Sequence, residues 1–462
     1  MSVTDSFATL TLPDLLHQPR EEIRALQNRL LKEQIEVCYK YHPFYSKLMK
    51  KEGLEPRHIQ TSDDLIRLPA TSKTDFLNDP EAFRLRGDDL PLEQRTIWKI
   101  MYTSGTTSGT PAPIYVTTFD EHAYLCAAER RTDFIDIRPT DMVANLFPLT
   151  SFPLGAYSRA PDEASACGAA IVYAHTGRPS EPFPVHRSLD QAVRTVERHK
   201  VTVLWGVASF VRRVLVRAQE LGADFSHVRM AMITGEAASP ALRKDMLNRL
   251  REVGAKDPKL CNRYGSTEQG ASMVECTDGS GFHILAPDQV FHEVIDTATG
   301  KRLPDGEKGM IAFTHLIRRG SVFLRYMMGD VVTMTNESCP YCGRTGPRIS
   351  SQPVRSGDIL KVKGMLVNMQ VVKDYLDQVV EVNEYQIVIR PMDAKDELSM
   401  DELVLRLNVR AGVEAETTKT VVEEIAKTIH LTPKIEYADK DAIFDPAVDA
   451  KPRRLVDLRP PR

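Results

Sequence analysis

The sequence predicts an α/β protein with a large N-terminal domain of layered α/β subdomains and a small mobile α+β domain at the C-terminus. Its 462 residues are too many for one compact core, so two or more domains are expected. From about residue 97 to about residue 330, apolar runs suited to buried strands alternate with amphipathic helical runs. After Arg355 the pattern changes to β-rich segments with one amphipathic helix.

The elements of the large domain follow in order. Residues 12–90 are predicted to be helical, with a long charged helix over 20–39 that Pro43 ends. Strand–turn–helix units then place ligands at the ends of parallel strands. The clearest pairs are a strand over 201–205 with a helix over 210–221, and a strand over 228–233 with a helix over 240–253.

The small domain combines three predicted strands with one helix. The strands cover 385–389, 403–409 and 434–437, and the helix covers 418–429. Because Ser356 and Gly357 supply flexible backbone, we divide the chain there. The predicted domains are 1–354 and 358–462, joined by a hinge over 355–357.

Composition excludes several classes of partner. A net charge of −3 gives no electrostatic reason to expect binding to nucleic acid or to an anionic membrane. No apolar run approaches the roughly 18 residues that span a bilayer. The first residues lack the features of a secretion signal, and seven scattered cysteines fit a reducing compartment. We therefore expect a cytoplasmic protein.

A loop rich in hydroxyl residues and glycine follows the apolar run 97–101. Residues 102–111 have the sequence Tyr-Thr-Ser-Gly-Thr-Thr-Ser-Gly-Thr-Pro. Backbone N–H groups and small hydroxyl side chains suit polyphosphate oxygens, which require many donors at close range. It is not a Walker loop, because no Gly-Lys-Ser/Thr closes it. Taken alone, the loop is equally well explained as a solvated turn.

Four further segments follow this loop in order: 264–268 (Tyr-Gly-Ser-Thr-Glu), 326–330 (Tyr-Met-Met-Gly-Asp), 355–358 (Arg-Ser-Gly-Asp) and Lys451. Together with the loop they resemble the adenylate-forming superfamily of acyl-CoA synthetases, peptide-synthetase adenylation domains and luciferases. The phenylacetate-CoA ligase branch is the most similar, since segments 41–45 and 68–73 also resemble it. The resemblance runs over nearly the whole chain.

The resemblance implies a role for each motif. Tyr264 would stack on adenine with Asn262 at the edge of the base, and Thr267 would contact the α-phosphate. Glu268 would bind Mg²⁺, as a hard carboxylate does, and Asp330 would accept the ribose hydroxyls. The full predicted nucleotide site is Ser104, Gly105, Thr106, Thr107, Gly235, Glu236, Ala237, Asn262, Arg263, Tyr264, Gly265, Ser266, Asp330 and Arg355.

By the same resemblance, Lys451 would contact the carboxylate and the α-phosphate during adenylation, with Thr267 and Glu268 as its catalytic partners. The alternative for Lys451 is a solvated basic tail. The chain also departs from the family pattern. Ala112 stands where the phosphate loop usually has lysine, and Gly357 replaces the usual Asp or Lys pivot of the hinge.

Four potential metal ligands recur at short spacings. Cys339 and Cys342 form a CxxC pair, and Cys276 and His283 bracket a polar loop. Tetrahedral zinc needs four such ligands, and a closed site would brace the fold without catalysing. The alternatives are a redox pair or free buried thiols.

The acyl pocket is predicted from two segments that match the branch, 145–152 and 205–209. Its lining candidates are Phe147, Phe152, Gly206, Ala208 and Ser209, because aromatic and small residues together suit a flat ring. The alternative is that these side chains simply pack in the hydrophobic core.

The resemblance implies an aryl or arylacetic acid–CoA ligase that uses ATP, Mg²⁺ and coenzyme A and releases AMP and pyrophosphate. The small domain would rotate between the half-reactions. Three alternatives stay open: transfer to a carrier-protein thiol or an amine, nucleotidyl transfer that leaves AMP on the product, and a silent binding protein. The oligomeric state, with a homodimer as one option, is also open.

Overall fold

The structure is a computed structural model that describes residues 14–103, 111–150, 152–176, 187–362, 365–392, 401–445 and 451–459. The predicted phosphate-loop residues, Ser104, Gly105, Thr106 and Thr107, lie outside the described residues. The α-helices are α1 (Arg20–Tyr41), α2 (Pro43–Lys51), α3 (Lys73–Asn78), α4 (Leu92–Arg95), α5 (Thr118–Ile135), α6 (Gly155–Ala166), α7 (Leu189–Arg198), α8 (Ala208–Glu220), α9 (Pro240–Glu252), α10 (Met369–Leu376), α11 (Glu414–Ile429) and α12 (Lys440–Ile443).

The strands are β1 (Ile97–Tyr102), β2 (Pro113–Thr117), β3 (Met142–Asn145), β4 (Ala170–Tyr173), β5 (Val203–Val207), β6 (Met230–Thr234), β7 (Lys259–Gly265), β8 (Ser272–Glu275), β9 (Phe282–His283), β10 (Val290–Ile295), β11 (Gly309–His315), β12 (Tyr326–Val332), β13 (Met334–Thr335), β14 (Arg348–Ile349), β15 (Val354–Arg355), β16 (Ile359–Val362), β17 (Met365–Asn368), β18 (Val382–Pro391), β19 (Asp401–Val409), β20 (Lys434–Tyr437) and β21 (Leu455–Asp457).

A nine-stranded sheet forms the centre of the large domain, in the order β13-β14-β9-β8-β7-β6-β5-β3-β4. Strands β4, β3, β5, β6 and β7 are parallel, and the strands beyond β7 are antiparallel. Every residue of β5 is buried, as expected for a parallel strand covered on both faces. Helices α8 and α9 follow β5 and β6, so the predicted strand–helix rhythm is confirmed.

A second layer covers the end of this sheet. Its antiparallel sheet has the order β10-β11-β12-β15, and strand β12 pairs with β15 so that Asp330 faces Arg355. The β1–β2 hairpin and α1 pack in the same hydrophobic core, to which α1 contributes Leu30 and Leu31. The described part of the predicted helical segment 12–90, residues 14–90, is largely helical, although several of its helices are short 3₁₀ turns.

The small domain has its own core. Its sheet has the order β20-β19-β18-β21, and α10 and α11 contribute Val372, Val421 and Ile425 to a cluster built within residues 360–455. The predicted strand over 434–437 matches β20, and the predicted helix begins four residues early, at Glu414. The mixed α/β class is confirmed. The division at 354 and 358 stays a prediction.

Across the described ranges, no helix is both long enough and apolar enough to pass through a bilayer.

Candidate active site

Three predicted nucleotide residues meet where β7, β12 and β15 come together. Tyr264 donates its phenol proton to Asp330 Oδ2 at 2.6 Å, and Arg355 Nε lies 3.1 Å from Asp330 Oδ1. Burial and the Asp330 charge raise the pKa of Tyr264 well above its usual value, so the phenol stays a donor. Each carboxylate oxygen retains a lone pair, so Asp330 is oriented and still able to accept ribose hydroxyls.

Among the described residues, the buried carboxylate of Glu268 has only distant partners. Its side chain is 6% exposed, and Oε1 lies 3.5 Å from Tyr326 Oη and 3.7 Å from Lys73 Nζ. Contacts of this length satisfy a buried charge poorly. The arrangement fits a carboxylate that completes its shell with a hard cation such as Mg²⁺.

Thr267 lies beside Glu268 and against the first residue of α6. A Cβ at Gly155 would fall 2.6 Å from Thr267 Cγ2, so the helix can approach this turn only with glycine at that position. Ser266 Oγ accepts a hydrogen bond from Gln269 N at 3.2 Å and closes the turn. At Gly265, a Cβ would fall 2.7 Å from the carbonyl oxygen of Ala271.

Lys73 is a cation of this cleft that the sequence reasoning missed. It is the first residue of α3, and the preceding Ser72 caps the helix by accepting from Asp75 N at 3.3 Å. Its side chain is one-third exposed and faces Glu268. One feature of the sequence indicated that such a cation was needed: Ala112 stands where the phosphate loop usually has lysine. Because Ala112 is itself buried in the core, a cation that contacts the phosphates has to come from another segment.

Lys451 crosses from the small domain to the large one. Its Nζ donates to the carbonyl oxygen of Gly235 at 2.9 Å, in the turn after β6. Burial lowers the pKa of Lys451, and the positive charges of Arg355 and Lys73 add to that shift. Gly235 has φ +83, a conformation that suits glycine. The predicted catalytic lysine therefore lies at the predicted nucleotide turn.

Glu236 and Ser209 were predicted in different sites, and the structure joins them. Ser209 N and Oγ, at the start of α8, donate to the two carboxylate oxygens at 2.9 and 3.0 Å. Burial raises the pKa of Glu236, while Arg454 and Lys451 of the small domain oppose that shift. Glu236 thus fixes the turn that Lys451 contacts. The next residue, Ala237, is exposed.

Arg263 is engaged inside the large domain. Its two terminal nitrogens each donate to Glu163 at 2.7 Å, and its guanidinium lies 4.6 Å from the indole ring centroid of Trp205. Its neighbour Asn262 is also buried. These contacts assign Arg263 a structural role between the sheet and α6. Its nucleotide contact stays a prediction.

The predicted acyl-pocket residues divide into a buried group and an exposed one. Phe147 and Ala208 are fully buried, and a Cβ at Gly206 would fall 3.0 and 3.1 Å from Val211 and Leu146. Phe152 is 43% exposed and lies beside the ring of Tyr102, with centroids 4.8 Å apart. The first group lies deep along β3 and β5, and Phe152 lies at the surface.

The four predicted metal ligands converge. Cys276 follows β8, His283 lies in β9, and Cys339 and Cys342 occupy the turn between β13 and β14. Their ligand atoms all lie within 4.8 Å of one another, with Sγ of Cys276 and of Cys339 3.8 Å apart. Tetrahedral zinc with Zn–S bonds of about 2.3 Å places two sulfurs about 3.8 Å apart, so the cluster fits zinc. Burial lowers the pKa of His283 to about 4, which keeps the imidazole neutral and able to bind metal.

The predicted hinge residue Gly357 lies in a short 3₁₀ turn, Ser356–Asp358. A Cβ at this glycine would meet nothing within 4 Å. The turn is held on one side by Ser356 Oγ, which donates to Gly329 O at 3.1 Å. On the other side Asp358 accepts from Lys373 Nζ at 2.7 Å. Its use as a pivot stays a prediction.

The fold and this cleft define an α/β protein in which a lysine near the C-terminus reaches the turn after β6, in a cleft that also holds Asp330 and Arg355. Comparison with known proteins identifies the family to which this chain belongs. The sequence profile described as AMP-binding enzyme matches residues 5–327, and the chain belongs to this family. The predicted membership of the adenylate-forming superfamily is thereby confirmed.

Two relatives are similar to this chain over most of their own length. The chain is similar to the phenylacetate-coenzyme A ligase of Thermus thermophilus, with 29% identity over 90% of this chain and 88% of that protein. It is also similar to the phenylacetate-coenzyme A ligase of Aromatoleum evansii, with 24% identity over 96% of both.

Solved structures share the fold. 2-Hydroxyisobutyryl-CoA ligase in the postadenylation state, in complex with 2-HIB-AMP, superposes with a TM-score of 0.79 and 22% identity over 96% of this chain and 91% of that one. The same ligase in the thioesterification state, with 2-HIB-AMP and CoA, gives 0.64 with 23% identity over 95% and 90%. Both matches show that this chain has the same fold.

Proposed function

We propose that this chain is an ATP-dependent acid–thiol ligase that activates an aromatic, aryl or arylacetic, carboxylic acid as acyl-AMP and transfers the acyl group to coenzyme A. The observation that carries the proposal is the position of Lys451. An ammonium group from the small domain reaches the Gly235 turn, close enough to Asp330 and Arg355 for their charges to shift its pKa. The matches to phenylacetate-coenzyme A ligases support the acid and the thiol.

The chemistry explains why the cleft needs these charges. A carboxylate oxygen attacks the α-phosphorus of ATP, the bond from that phosphorus to the bridging oxygen breaks, and pyrophosphate leaves. Negative charge accumulates on phosphate oxygens in the transition state, and fixed cations stabilise it. Coenzyme A thiolate then attacks the acyl carbon, and AMP leaves with the bonding electrons.

The residues of the chain divide this work. Lys451 holds the acid carboxylate against the α-phosphate, so the attacking oxygen and phosphorus are brought into line. Lys73 supplies the cation that the phosphate loop lacks at Ala112. Glu268 would hold Mg²⁺, which neutralises phosphate charge when bound. Tyr264 and Asp330 position the nucleoside.

Contacts between the domains support a two-position mechanism. Arg213, on α8, donates to the carbonyl oxygen of Phe444 at 3.1 Å and pairs with Asp441 at 3.3 Å. Asp441 is exposed, and such a surface pair contributes little stability. Weak contacts of this kind allow the small domain to leave after adenylation, with Gly357 as the pivot.

We further propose that Cys276, His283, Cys339 and Cys342 hold a structural Zn²⁺. A closed set of four protein ligands leaves no position for water, so the metal would brace the antiparallel end of the central sheet. Thiolate ligands require reduced cysteines, which agrees with a cytoplasmic location. Elemental analysis should find one zinc per chain, and Cys342→Ser should lose the metal and lower the melting temperature. Purified protein with far less than one zinc per chain and no response to a chelator would contradict this site.

The products identify the reaction. The full chain is incubated with ATP, Mg²⁺ and a panel of benzoic, phenylacetic, anthranilic, cinnamic and short aliphatic acids, with and without coenzyme A. The proposal predicts acyl-AMP without coenzyme A and acyl-CoA with AMP in its presence, for aromatic acids above aliphatic ones. A stable adenylate that ignores coenzyme A would indicate nucleotidyl transfer or an acceptor such as a carrier protein or an amine. No product from any acid would overturn the proposal.

A further inference from the structure

The wall of the cleft behind the catalytic lysine contains a buried donor without a partner. Trp205, in the middle of β5, is 4% exposed. Among the described residues, its indole Nε1 is buried and makes no hydrogen bond. Buried indole N–H groups usually find an acceptor, so an orphan of this kind requires an explanation.

The strand connects this donor to the reacting centre. A Cβ on Gly235 would lie 3.8 Å from Lys451 Nζ and 4.0 Å from Val207 Cγ2, so Val207 and the catalytic ammonium flank the same turn. Trp205 precedes Val207 by two residues on β5, and alternate residues of a strand share one face. Trp205 therefore lies about 6.6 Å further along the same wall, away from the lysine.

The groups that the structure describes around the indole offer it no acceptor. The guanidinium of Arg263 covers the ring, and the edge-on ring of Phe147 lies 6.0 Å from it between centroids. Glu163, which pairs with the Arg263 that covers the ring, already accepts from Arg263, Arg131 and Tyr124. This carboxylate is thus engaged, whereas the indole N–H has no partner among the described residues.

We propose that the indole N–H of Trp205 donates a hydrogen bond to the end of the acid remote from its carboxylate. The preferred substrates then carry an uncharged hydrogen-bond acceptor at that end, such as a ring hydroxyl. This inference rests on the proposed function. An acid with its carboxylate at Lys451 extends along Val207 towards Trp205, over a length comparable to one phenyl ring and its methylene. The N–H donates to the acceptor oxygen, and no bond is made or broken.

Matched acids test this directly in the full chain. Phenylacetic, 4-methylphenylacetic, 3-hydroxyphenylacetic and 4-hydroxyphenylacetic acids are compared by kcat/KM for pyrophosphate release. A site built around a donor discriminates against analogues that lack the acceptor. We expect a hydroxylated acid to exceed the methylated one by about tenfold, the worth of one neutral hydrogen bond. In Trp205→Phe this ratio should fall to about one.

The second tryptophan supplies the control and an independent readout. Trp98 is 62% exposed, and Trp98→Phe should leave the acid preference unchanged. In protein labelled with ¹⁵N-tryptophan, the two indole signals are assigned with the two variants. The Trp205 N–H signal should move downfield with ATP and the hydroxylated acid, and much less with the methylated acid.

The outcomes are distinct. If no acid supports pyrophosphate release from ATP, the proposed function fails, and Trp205 then has no acid substrate to bind. If acids are activated but the hydroxylated and methylated ones react equally and shift the indole signal equally, water satisfies the donor and this inference is wrong. If Trp205→Phe misfolds, the labelled parent protein still decides between the two results.

Discussion

Two buried carboxylates of the large domain have opposite surroundings. Glu163, on α6, receives short bonds from Arg263 at 2.7 Å, Arg131 at 3.0 Å and Tyr124 at 2.7 Å. Although burial works against its charge, these arginines lower the pKa of Glu163 to about 2. Glu268 is nearly as buried, yet its contacts with Tyr326 and Lys73 are 3.5 and 3.7 Å long.

The difference separates the charges that fold the protein from those that act on a ligand. Glu163 joins a helix to a sheet and has no capacity left for a substrate. Glu268 and Lys73 lie close enough to attract one another and too far apart to satisfy one another. A bound nucleotide and its metal would complete them. Four predictions test this separation, in order of falling effect.

The largest effect is expected from Glu163, the carboxylate that pairs with buried arginines. Glu163→Gln leaves Arg131 and Arg263 buried without a counter-charge, which should lower the free energy of unfolding by about 3–5 kcal/mol. Chemical denaturation measures it. Glu424→Gln, which removes an exposed partner 3.7 Å from Lys427, is the control and should change stability by less than about 0.5 kcal/mol. Equal losses from the two variants would remove the distinction drawn here.

The proposed catalytic cation, Lys451, should show the reverse behaviour. Lys451→Ala should slow acid-dependent pyrophosphate release by about 10²–10³-fold, because it removes a contact made in the transition state. Stability should hardly change. Lys440→Ala, at an exposed lysine of the small domain, should retain the parent rate. A Lys451→Ala enzyme that releases pyrophosphate near the parent rate would exclude the assigned role.

A smaller loss is expected for Lys73→Ala, about 10- to 100-fold in the same assay, because this side chain is partly exposed. The loss should be accompanied by a higher KM for ATP, since the cation faces the phosphates in the ground state too. Lys308, an exposed lysine, provides the matched alanine control. If both variants keep the parent kinetics, the phosphates are bound without Lys73.

The smallest expected effect is on the pH dependence of the adenylation rate. Burial lowers the pKa of Lys451 below its usual value, so its charge is present at low pH and is lost as pH rises through that lowered pKa. Adenylation should therefore decline on the alkaline side. Lys451→Arg retains its charge and should move the decline to higher pH, whatever its absolute rate. An unchanged alkaline limb would mean that another group titrates.

Much of this arrangement was predictable from the sequence. The runs 201–205 and 228–233 predicted β5 and β6 because fully apolar segments suit buried parallel strands. The four candidate metal ligands were predicted from the CxxC spacing and from the resemblance to the phenylacetate-CoA ligase branch, and the structure brings all four together. The metal itself stays a prediction. The order of the five motifs predicted the family by resemblance, and the family profile confirms it.

The missed features are contacts between distant parts of the chain. Lys73 reaches Glu268 across 195 positions, and nothing local to α3 distinguishes this lysine from its neighbours. The pairing of Ser209 with Glu236 depends on how β5 and β6 align in the sheet, which periodicity does not specify. Arg263 lies inside a conspicuous motif, yet burial against Glu163 decides its role.

Acid-dependent exchange of labelled pyrophosphate into ATP, measured without coenzyme A, tests the central claim most directly. We expect exchange only when an aromatic acid and Mg²⁺ are both present, because formation of acyl-AMP is reversible before the thiol enters. Exchange that proceeds equally well without any acid, or that no acid in the panel supports, would contradict the claim that this cleft joins AMP to a carboxylate.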